Sequence, residues 1–539
     1  MRVTPRAIAV ASMATVVGLM ATACSAAPTT TGSSASAVSA ITVRGCTPEN
    51  PLIGTATNEV CGGNVLDAIT AKLVHYNSDT AAPELDIAQS IDTTDSITFT
   101  VKLKADYKFQ DGTVVKAKNF VDAWNWGAAC TNAQLNSYFF APIDGFVDPK
   151  GQGCSDAATM TGLKVVDDTT FTIKTSSPTS NLPVRLGYTA FAPQPDAFFA
   201  DTSEGKKTFG NAAIGAGPYK LTSKTDTEMV LEKFADYSGA DKASVDKVTY
   251  KIYNDTSAAY NDVVANNLDL TDVIPSDQLV GDAWKTDLDG RNGVRDTGII
   301  QVLTFSPKDD NFKDIKMREA ISMGFDRALI TKQIFNGART PATGWVSPVV
   351  DGYKADGCGA NCEFDGAKAK ALYTEAGGYK GTMPIYVNAD GGHKLWADAM
   401  CNQLKNNLGM NCSVEATPDF ATLRKGINAR EYKGLYRGGW QMDYPSIENF
   451  LTPIYATGAS SNDGDYSNKE FDGLLKQAAA AKTNPEANTL YQQAEAILGK
   501  ELPTVPLWYQ QSQFGYSTKI ASVKMTPFST FDLGSIVLK

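Results

Sequence analysis

The stretch Ile97-Thr-Phe-Thr-Val-Lys-Leu103 decides how this chain begins to fold, because apolar and polar residues alternate strictly along it. That period of two is typical of a strand with one buried face and one exposed face. Phe109-Gln-Asp-Gly112 then predicts a turn, and residues 114–126 are predicted to form a helix. A strand, a turn and a helix in succession indicate a chain that mixes both kinds of element.

The same mixture continues towards the C-terminus. Apolar residues recur at helical spacing over 317–329 and predict one amphipathic helix. Ser467-Asn-Lys-Glu470 has the capping-box pattern that starts another helix. A further helix is predicted through 490–498, followed by a strand at Val505-Pro-Leu-Trp-Tyr509. The interleaved elements predict a mixed α/β fold, and the lack of a fixed sequence repeat excludes solenoids and propellers.

Length and charge narrow the class of protein. The chain has 539 residues, 49 Lys+Arg and 59 Asp+Glu, which gives a formal net charge of −10. At roughly 100–200 residues per domain, this length predicts two to four structural units. With 43% hydrophobic and 20% charged residues, wholesale disorder and coiled coil are both excluded. An acidic surface repels phosphate backbones, so nucleic acid is not an expected partner.

Residues 1–23 are predicted to be a secretory signal peptide, because two arginines precede a run of apolar and small residues. The run ends in Ala21-Thr-Ala-Cys24, which resembles the lipobox of bacterial lipoproteins and implies that Cys24 is acylated. The alternative is an ordinary secretion signal in which Cys24 is incidental. Residues 24–40 are rich in Ser, Thr and Ala and are expected to form a flexible tether. Because no later segment has about 18 consecutive apolar residues, the protein is expected to be tethered to a membrane and not embedded in it.

The other eight cysteines predict disulfides, because an even number in an exported chain favours pairing. The sequence leaves the connectivity open, and the pairing of sequential neighbours is Cys46–Cys61, Cys130–Cys154, Cys358–Cys362 and Cys401–Cys412. Cys358-Gly-Ala-Asn-Cys362 also has a plausible spacing for zinc, but no second close Cys/His pair accompanies it. Disulfides are therefore predicted in place of a metal site.

Motifs of the common enzyme classes are missing from the sequence. It contains no His-Glu-x-x-His, Gly-x-Ser-x-Gly, phosphate loop or Gly-x-Gly-x-x-Gly. Ser244-Val-Asp-Lys247 matches the opening of the penicillin-binding signature without its partner motifs, which indicates a chance match. Two acidic stretches, 287–293 and 463–467, leave calcium open as an alternative. The residues favour a binding protein over an enzyme and predict no cofactor.

A binding signal is concentrated in Leu435-Tyr-Arg-Gly-Gly-Trp-Gln-Met-Asp-Tyr444. Two glycines allow a backbone to pass close to another group, Trp440 offers a large apolar face, and Asp443 offers a charge. The alternative interpretation is a buried Trp in a strand, a bulge at the glycines and a solvated Asp.

Four segments, in this order along the chain, resemble the extracellular solute-binding proteins of the oligopeptide/dipeptide type (family 5), which serve ABC importers. They are 109–124, Gly215-Ala-Gly-Pro-Tyr-Lys-Leu221, 312–327 and Gly439-Trp-Gln-Met-Asp-Tyr444. The resemblance implies a two-lobed α/β fold of the periplasmic-binding-protein kind, which closes on its ligand about a hinge.

The resemblance also implies where the domains lie. The first lobe is discontinuous and is expected to comprise 41–69, 193–303 and 509–539. An extra small domain, characteristic of the peptide-binding branch, is expected at 70–192. The second lobe is expected at 304–508.

Site residues follow from the same resemblance. Asp443 matches the carboxylate that receives the α-amino group of the ligand. Gly439-Trp440-Gln441 matches the strand whose backbone pairs with a peptide, and Thr55-Ala56-Thr57 aligns with the opposite strand from the first lobe. Arg437 and His393 match positions that meet the C-terminal carboxylate of the ligand, although His393 has the alternative of being a surface histidine.

The implied function is capture of oligopeptides by a substrate-binding lipoprotein at the outer face of the bacterial cytoplasmic membrane. The expected partners are the peptide, the permease subunits of an ABC importer and their ATPases, with the binding protein itself a monomer. The same scaffold binding a non-peptide solute (an oligosaccharide, a metal chelate or an opine) is one alternative, and Asp443 favours an amine-bearing ligand against it. A secreted hydrolase and a non-transporting sensor are the others.

Overall fold

The computed structural model describes residues 38–147, 159–253, 255–418, 420–459 and 461–539. The predicted signal peptide at 1–23 and Cys24, with most of the predicted tether, lie outside this part of the chain. None of the helices in the described part combines the length and apolar character that a membrane span requires.

Nineteen strands lie in the described residues, and they account for the predicted strands. They are β1 (Ala40–Gly45), β2 (Val74–Tyr76), β3 (Pro83–Leu85), β4 (Ala88–Asp92), β5 (Thr98–Leu103), β6 (Leu163–Asp167), β7 (Thr170–Lys174), β8 (Tyr219–Lys224), β9 (Glu228–Lys233), β10 (Lys247–Ile252), β11 (Leu270–Thr271), β12 (Asn292–Phe305), β13 (Arg339–Pro341), β14 (Met383–Asn388), β15 (Cys412–Thr417), β16 (Leu435–Gln441), β17 (Thr504–Tyr516), β18 (Ile520–Met525) and β19 (Phe531–Leu538). The alternating stretch at 97–103 is confirmed as β5, and the stretch at 505–509 lies within β17.

Sixteen α-helices lie in the same residues. They are α1 (Val60–Ile69), α2 (Ala117–Ala128), α3 (Leu182–Arg185), α4 (Asp196–Ala200), α5 (Lys207–Asn211), α6 (Thr256–Val264), α7 (Ser276–Leu279), α8 (Ala283–Leu288), α9 (Ile315–Met323), α10 (Arg327–Phe335), α11 (Gly366–Glu375), α12 (Lys394–Leu408), α13 (Phe420–Asn428), α14 (Ile447–Tyr455), α15 (Lys469–Ala479) and α16 (Asn484–Glu501). The helix predicted through 490–498 is confirmed as part of α16.

Local hydrogen bonds explain where helix predictions differ from the structure. Helix α2 begins at Ala117, three residues later than predicted, because Val114 bridges to Lys108 across the preceding turn. The single helix predicted over 317–329 is wrong. The chain breaks between α9 and α10, where the Asp326 carboxylate accepts a hydrogen bond from the Leu329 amide at 2.9 Å. Helix α9 buries Met317, Ala320 and Ile321, whereas Ala328 and Leu329 in α10 are exposed, so the predicted apolar face does not continue across the break.

The capping box predicted at 467–470 is one residue out of place. The N-cap of α15 is Asn468, whose Oδ1 accepts hydrogen bonds from the backbone amides of Glu470 at 2.8 Å and Phe471 at 3.0 Å. Asparagine and serine are both good N-caps, so the sequence pattern alone does not separate the two positions.

A large mixed sheet organises the chain. Its eleven strands include the path β15-β14-β16-β12-β17-β11-β1-β10-β9-β8, with β13 paired to β17. The long strands β12 and β17 run antiparallel through the middle of this sheet, and their ladder is irregular between Asp296 and Ile300. The partners of these two residues are Gln511 and Tyr509, so the irregularity lies beside the border between 508 and 509 that the resemblance implies.

Buried apolar side chains form separate clusters that follow different parts of the chain. One cluster draws almost entirely on 300–509, a second mainly on 71–191, and a third on 41–69, 198–270 and 520–536. The four-stranded antiparallel sheet β4-β5-β7-β6 belongs to the second cluster. The domain borders implied by the resemblance stay a prediction.

Three of the four expected disulfides are present. They are Cys46–Cys61, Cys358–Cys362 and Cys401–Cys412. Because Cys358 and Cys362 are bonded to each other, they are not available as thiolate ligands for zinc. The pair Cys130–Cys154 stays a prediction, since Cys154 lies outside the described residues.

Candidate binding cleft

A cavity of about 620 Å³, here called the cleft, brings together segments that are far apart in the sequence. Its lining includes five of the residues predicted from the sequence: Thr57, Gly439, Trp440, Gln441 and Asp443. It also includes the side chains of Tyr76, Tyr138, Tyr188 and Phe528, which the sequence did not single out.

Strand β16 forms one side of the cleft. It pairs with β12 in unbroken register, with Trp440 opposite Ile300 and Gly439 opposite Gln301, so the glycines do not form a bulge. Gly439 is required by this packing, because a Cβ atom there would lie 2.9 Å from the Ile300 carbonyl oxygen. The glycine therefore lets β16 lie close against its neighbour.

The other edge of β16 is covered only at its beginning. Strand β14 pairs with Leu435 and Tyr436. Beyond them, no strand in the described part of the chain pairs with residues 438–441 on that side, and Gly439 and Gln441 are exposed. An uncovered strand edge presents a row of backbone hydrogen-bonding groups to any extended chain that enters the cleft.

Asp443 follows directly after this edge and is held by Asn449 of α14. The Asn449 amide nitrogen donates to the Asp443 carboxylate at 3.0 Å, while its oxygen accepts from the Asp443 backbone amide at 2.9 Å. The same oxygen accepts from the indole N–H of Trp440 at 3.0 Å. The buried side chain of Asn449 therefore orients both the carboxylate of Asp443 and the indole ring of Trp440.

The carboxyl group of Asp443 has an unusually high pKa. Burial raises its pKa to about 7, the hydrogen bond from Asn449 opposes the rise, and the charge of Glu448 adds to it. None of the groups that shift this pKa is a cation. A half-buried carboxyl group whose pKa is raised in this way is poised to gain from a positively charged ligand.

Tyrosines surround the same carboxyl group. Burial, followed by the charge of Asp443, raises the pKa of Tyr76, Tyr138 and Tyr188 well above the usual value. Tyr76 stacks on Phe528 with ring centroids 5.0 Å apart. No local sequence pattern marks these residues, because they come from separate loops and a short strand that only the fold brings together.

Thr55-Ala56-Thr57 does not form the strand that was expected. Residues 54–56 form a turn, in which the amides of Ala56 and Thr57 both donate to the Ile53 carbonyl at 2.9 Å. Asn136 engages further backbone groups here: its backbone amide donates to the Thr55 carbonyl and its side-chain amide donates to the Thr57 carbonyl. Only Thr57 of the three lines the cleft.

Arg437 and His393 lie beyond the cleft, near each other. Arg437 lines an adjoining cavity of about 250 Å³ that shares Gly439 and Trp440 with the cleft. His393 lines neither cavity; its Nδ1 accepts a hydrogen bond from the Trp396 indole at 3.2 Å. Burial, aided by the charges of Arg437 and Arg339, lowers the pKa of His393 to about 3, so this half-buried imidazole is neutral at pH 7.

Comparison with known proteins agrees with this architecture. Over 469 residues, the chain is 25% identical to the oligopeptide-binding protein OppA of Bacillus subtilis, covering 85% of this chain and 84% of that one. It is 26% identical over 418 residues to the probable deoxycholate-binding periplasmic protein YgiS of Escherichia coli, covering 76% of each. The structure of the murein tripeptide binding protein MppA of Escherichia coli superposes with a TM-score of 0.77 at 21% identity, covering 93% of this chain and 99% of that one.

These likenesses confirm the two-lobed α/β fold predicted from the sequence. The family that the chain matches consists of binding proteins, as predicted. The model of the bacterial extracellular solute-binding proteins, family 5, matches residues 82–462, which is most of the chain. The match spans β16, Asp443 and α14, the elements that form one side of the cleft. The chain belongs to the bacterial extracellular solute-binding proteins, family 5.

Proposed function

We propose that this protein captures oligopeptides in the cleft and delivers them to an ABC importer. The observation that carries the proposal is the uncovered edge of β16 at 438–441, which is followed by the carboxyl group of Asp443, whose pKa is raised by burial. A peptide has both complementary features, namely a row of backbone hydrogen-bonding groups and an α-ammonium group at one end.

The strand edge supplies affinity without reading sequence. A peptide that pairs with 438–441 makes main-chain hydrogen bonds, which every amino acid provides. The aromatic side chains of Trp440, Tyr138 and Tyr188 then pack on whatever side chains the peptide carries. This combination suits a protein that accepts many peptides.

Asp443 sets the direction of the peptide. Its carboxylate receives the α-ammonium group, and Asn449 fixes the carboxylate in place. Arg437 lies in the adjoining cavity, towards the other end of β16, where a guanidinium group is suited to a C-terminal carboxylate. The neutral His393 lies outside both cavities and brings no charge to that end.

Anchoring and closure complete the proposal. The signal peptide at 1–23 directs export, the lipid on Cys24 attaches the protein to the outer face of the membrane, and residues 24–40 act as the tether. Lobes at 41–69, 193–303 and 509–539 and at 304–508 close about the irregular β12–β17 ladder, with 70–192 as the extra domain. The closed monomer docks on the permease subunits.

A non-peptide solute is the second candidate. The aromatic wall of the cleft also suits a large apolar ligand, and YgiS is named for binding deoxycholate. Native mass spectrometry of the purified protein separates the two candidates. We expect a heterogeneous set of short-peptide masses bound to the protein, whereas a single defined non-peptide mass would overturn the peptide assignment.

Peptide binding should depend on pH through Asp443. Because the free carboxyl group has a pKa of about 7 and must be ionised to receive an ammonium group, binding below pH 7 releases a proton. We expect nearly one proton per peptide at pH 6 and an affinity about fivefold lower at pH 6 than at pH 7.5, where part of the peptide amine is already deprotonated. Above about pH 8 the peptide amine loses its own proton, so affinity falls again.

Calorimetry in two buffers of different ionisation enthalpy measures the released proton directly. The Asp443→Asn variant is the matched control, since its amide has the same shape and does not titrate. Release of a full proton by that variant at pH 6, or of none by the wild type, would contradict the assignment of Asp443.

A further inference from the structure

Asn136 holds together the part of the cleft lining that comes from the first half of the chain. Its side chain is 0% exposed, and its amide nitrogen donates to the Gly54 carbonyl at 2.8 Å and to the Thr57 carbonyl at 2.7 Å. Its backbone amide donates to the Thr55 carbonyl at 2.9 Å. A single residue therefore binds three carbonyl groups of a turn that is distant from it in the sequence.

These hydrogen bonds join residues that line the cleft. Thr57 lines it on the side of the turn, and Leu135 and Tyr138 line it on the side of Asn136, although Asn136 itself does not. Asn136 is also the N-cap of the 3₁₀ helix Ser137–Phe140, which carries Tyr138. The hydrogen bonds of Asn136 therefore fix the position of Thr57 relative to Tyr138.

Tyr188 is a further cleft residue that meets this arrangement. Its hydroxyl group faces the Asn136 side chain, since Asn136 opposes the rise in the pKa of Tyr188 that burial and the charge of Asp443 cause. The turn also packs closely on the next residue, because a Cβ atom at Gly54 would lie 2.1 Å from the Thr189 carbonyl oxygen. The turn, the 3₁₀ helix and the segment 188–189 thus pack together around Asn136.

This packing reaches the surroundings of Asp443. Phe139 of the 3₁₀ helix stacks on Tyr188 with ring centroids 4.3 Å apart. The same ring meets Tyr444, the residue after Asp443, edge to face with centroids 6.5 Å apart. Tyr138 and Tyr188 both feel the charge of Asp443. The aromatic residues that Asn136 holds in place therefore help to bury the carboxyl group of Asp443.

We propose that Asn136 is a positioning residue for peptide capture, which fixes Thr57, Tyr138 and Tyr188 around the bound peptide and limits the access of water to Asp443. The inference rests on the proposed function and extends it to a residue that does not touch the ligand. A buried carboxamide suits this role, because its two N–H groups bind two carbonyl groups at once and its own orientation is thereby fixed.

Removing the carboxamide should weaken peptide binding. We expect Asn136→Ala to bind trialanine and Ala-Phe-Ala about tenfold more weakly than the wild type does, measured by calorimetry on the full-length exported protein. Thr55→Val is a milder second variant, which removes only the 2.9 Å hydrogen bond from the Thr55 hydroxyl to Gln134 and keeps the shape of the side chain. It should weaken binding about two- to threefold, and it decides the test if Asn136→Ala does not fold.

Proton release separates a positioning role from a general loss of stability. Burial is the main cause of the raised pKa of Asp443, so its pKa should fall when Tyr138 and Tyr188 no longer shield it from water. At pH 6 the wild type should release nearly one proton per peptide, and Asn136→Ala should release about half a proton or less.

Other titratable groups around Asp443 stay in place in this variant. Those that interact with its charge are Tyr76, Tyr444 and Glu448, and those that also line the cleft are Glu59, Asp67, Lys72 and His75. In the described part of the chain, none of these side chains is hydrogen-bonded to Asn136. A change in proton release is therefore assigned to the shielding of Asp443.

Asn119 offers the matched control. It is a buried asparagine of α2 whose side chain donates to the Gln194 carbonyl at 3.0 Å, and it lines neither the cleft nor the adjoining cavity. Asn119→Ala should lower the urea midpoint, as Asn136→Ala does, but keep the affinity and the proton release of the wild type.

Three outcomes overturn the role of Asn136: wild-type affinity and proton release in Asn136→Ala, an equal loss of both in Asn119→Ala, or, where Asn136→Ala does not fold, unchanged affinity in Thr55→Val. A wild-type protein that binds neither peptide overturns the proposed function itself.

Discussion

Replacing Asp443 with alanine should weaken the binding of a free peptide by about a hundredfold or more. The reason is that an ammonium group enclosed in the cleft then loses its counter-charge. Removing one member of a buried charge pair typically costs about 3–5 kcal/mol, and about 1.4 kcal/mol corresponds to a tenfold change in affinity. Asp443→Asn should behave similarly, since the amide keeps the shape and loses the charge.

The interaction between Asp443 and the ammonium group can also be tested by changing the peptide. N-acetylation of the peptide removes the ammonium group and should weaken binding to the wild type by a comparable factor. The two losses should not add, because the variant and the acetylated peptide delete the same interaction. A calorimetric cycle with both proteins and both peptides measures the coupling.

The exposed Asp310→Ala variant serves as the control for a general loss of negative charge, and its affinity for either peptide should match that of the wild type. If the acetylated peptide binds the wild type as tightly as the free peptide does, Asp443 is not the amine receptor.

The second large effect concerns stability. Arg185 at the end of α3 and Glu448 in α14 form an ion pair at 3.0 Å, with side chains only 14% and 3% exposed. The Glu448 carboxylate also accepts hydrogen bonds from Asn181 and from the Tyr444 hydroxyl, while the Arg185 guanidinium lies 5.4 Å from the centre of the Tyr444 ring. Replacing Arg185 with methionine leaves Glu448 buried without its counter-charge.

We expect Arg185→Met to lower the free energy of unfolding by about 3–5 kcal/mol, measured as a shift of the urea midpoint. The double variant Arg185→Met/Glu448→Leu should recover part of this loss, because removing both partners leaves no buried charge. Lys313→Met is the control, since its ion pair with Asp310 is exposed on both sides, and no measurable shift is expected. An unchanged midpoint for Arg185→Met would show that the pair does not stabilise the fold.

Local patterns in the sequence were sufficient to predict several strands and helices, three disulfides and two residues of the cleft. The alternation at 97–103 and the helical spacing at 490–498 predicted β5 and α16, because one buried face imposes a period on neighbouring residues. The disulfides at 46–61, 358–362 and 401–412 join residues close in sequence, so pairing by proximity succeeded. Trp440 and Asp443 were recognised because both lie in one short stretch that also carries the resemblance.

Only the tertiary structure decided what surrounds that stretch. The partner of Asp443 is Asn449 on the following helix, and nothing in the sequence distinguishes it from other helical asparagines. Tyr76 and Tyr188 reach the cleft from segments more than two hundred residues away from Asp443. Such neighbours are set by how β-strands pair and how lobes pack, and these long-range contacts leave no periodic trace in the sequence.

The predicted strand at Thr55-Ala56-Thr57 failed for the same reason, since Asn136, from a distant segment, engages its backbone in a turn. The sequence by itself thus determined the family, several of the elements and two of the residues that line the cleft, Trp440 and Asp443. The uncovered edge at 438–441 and the raised pKa of Asp443 were decided by the fold, because burial and strand pairing are properties of the assembled sheet.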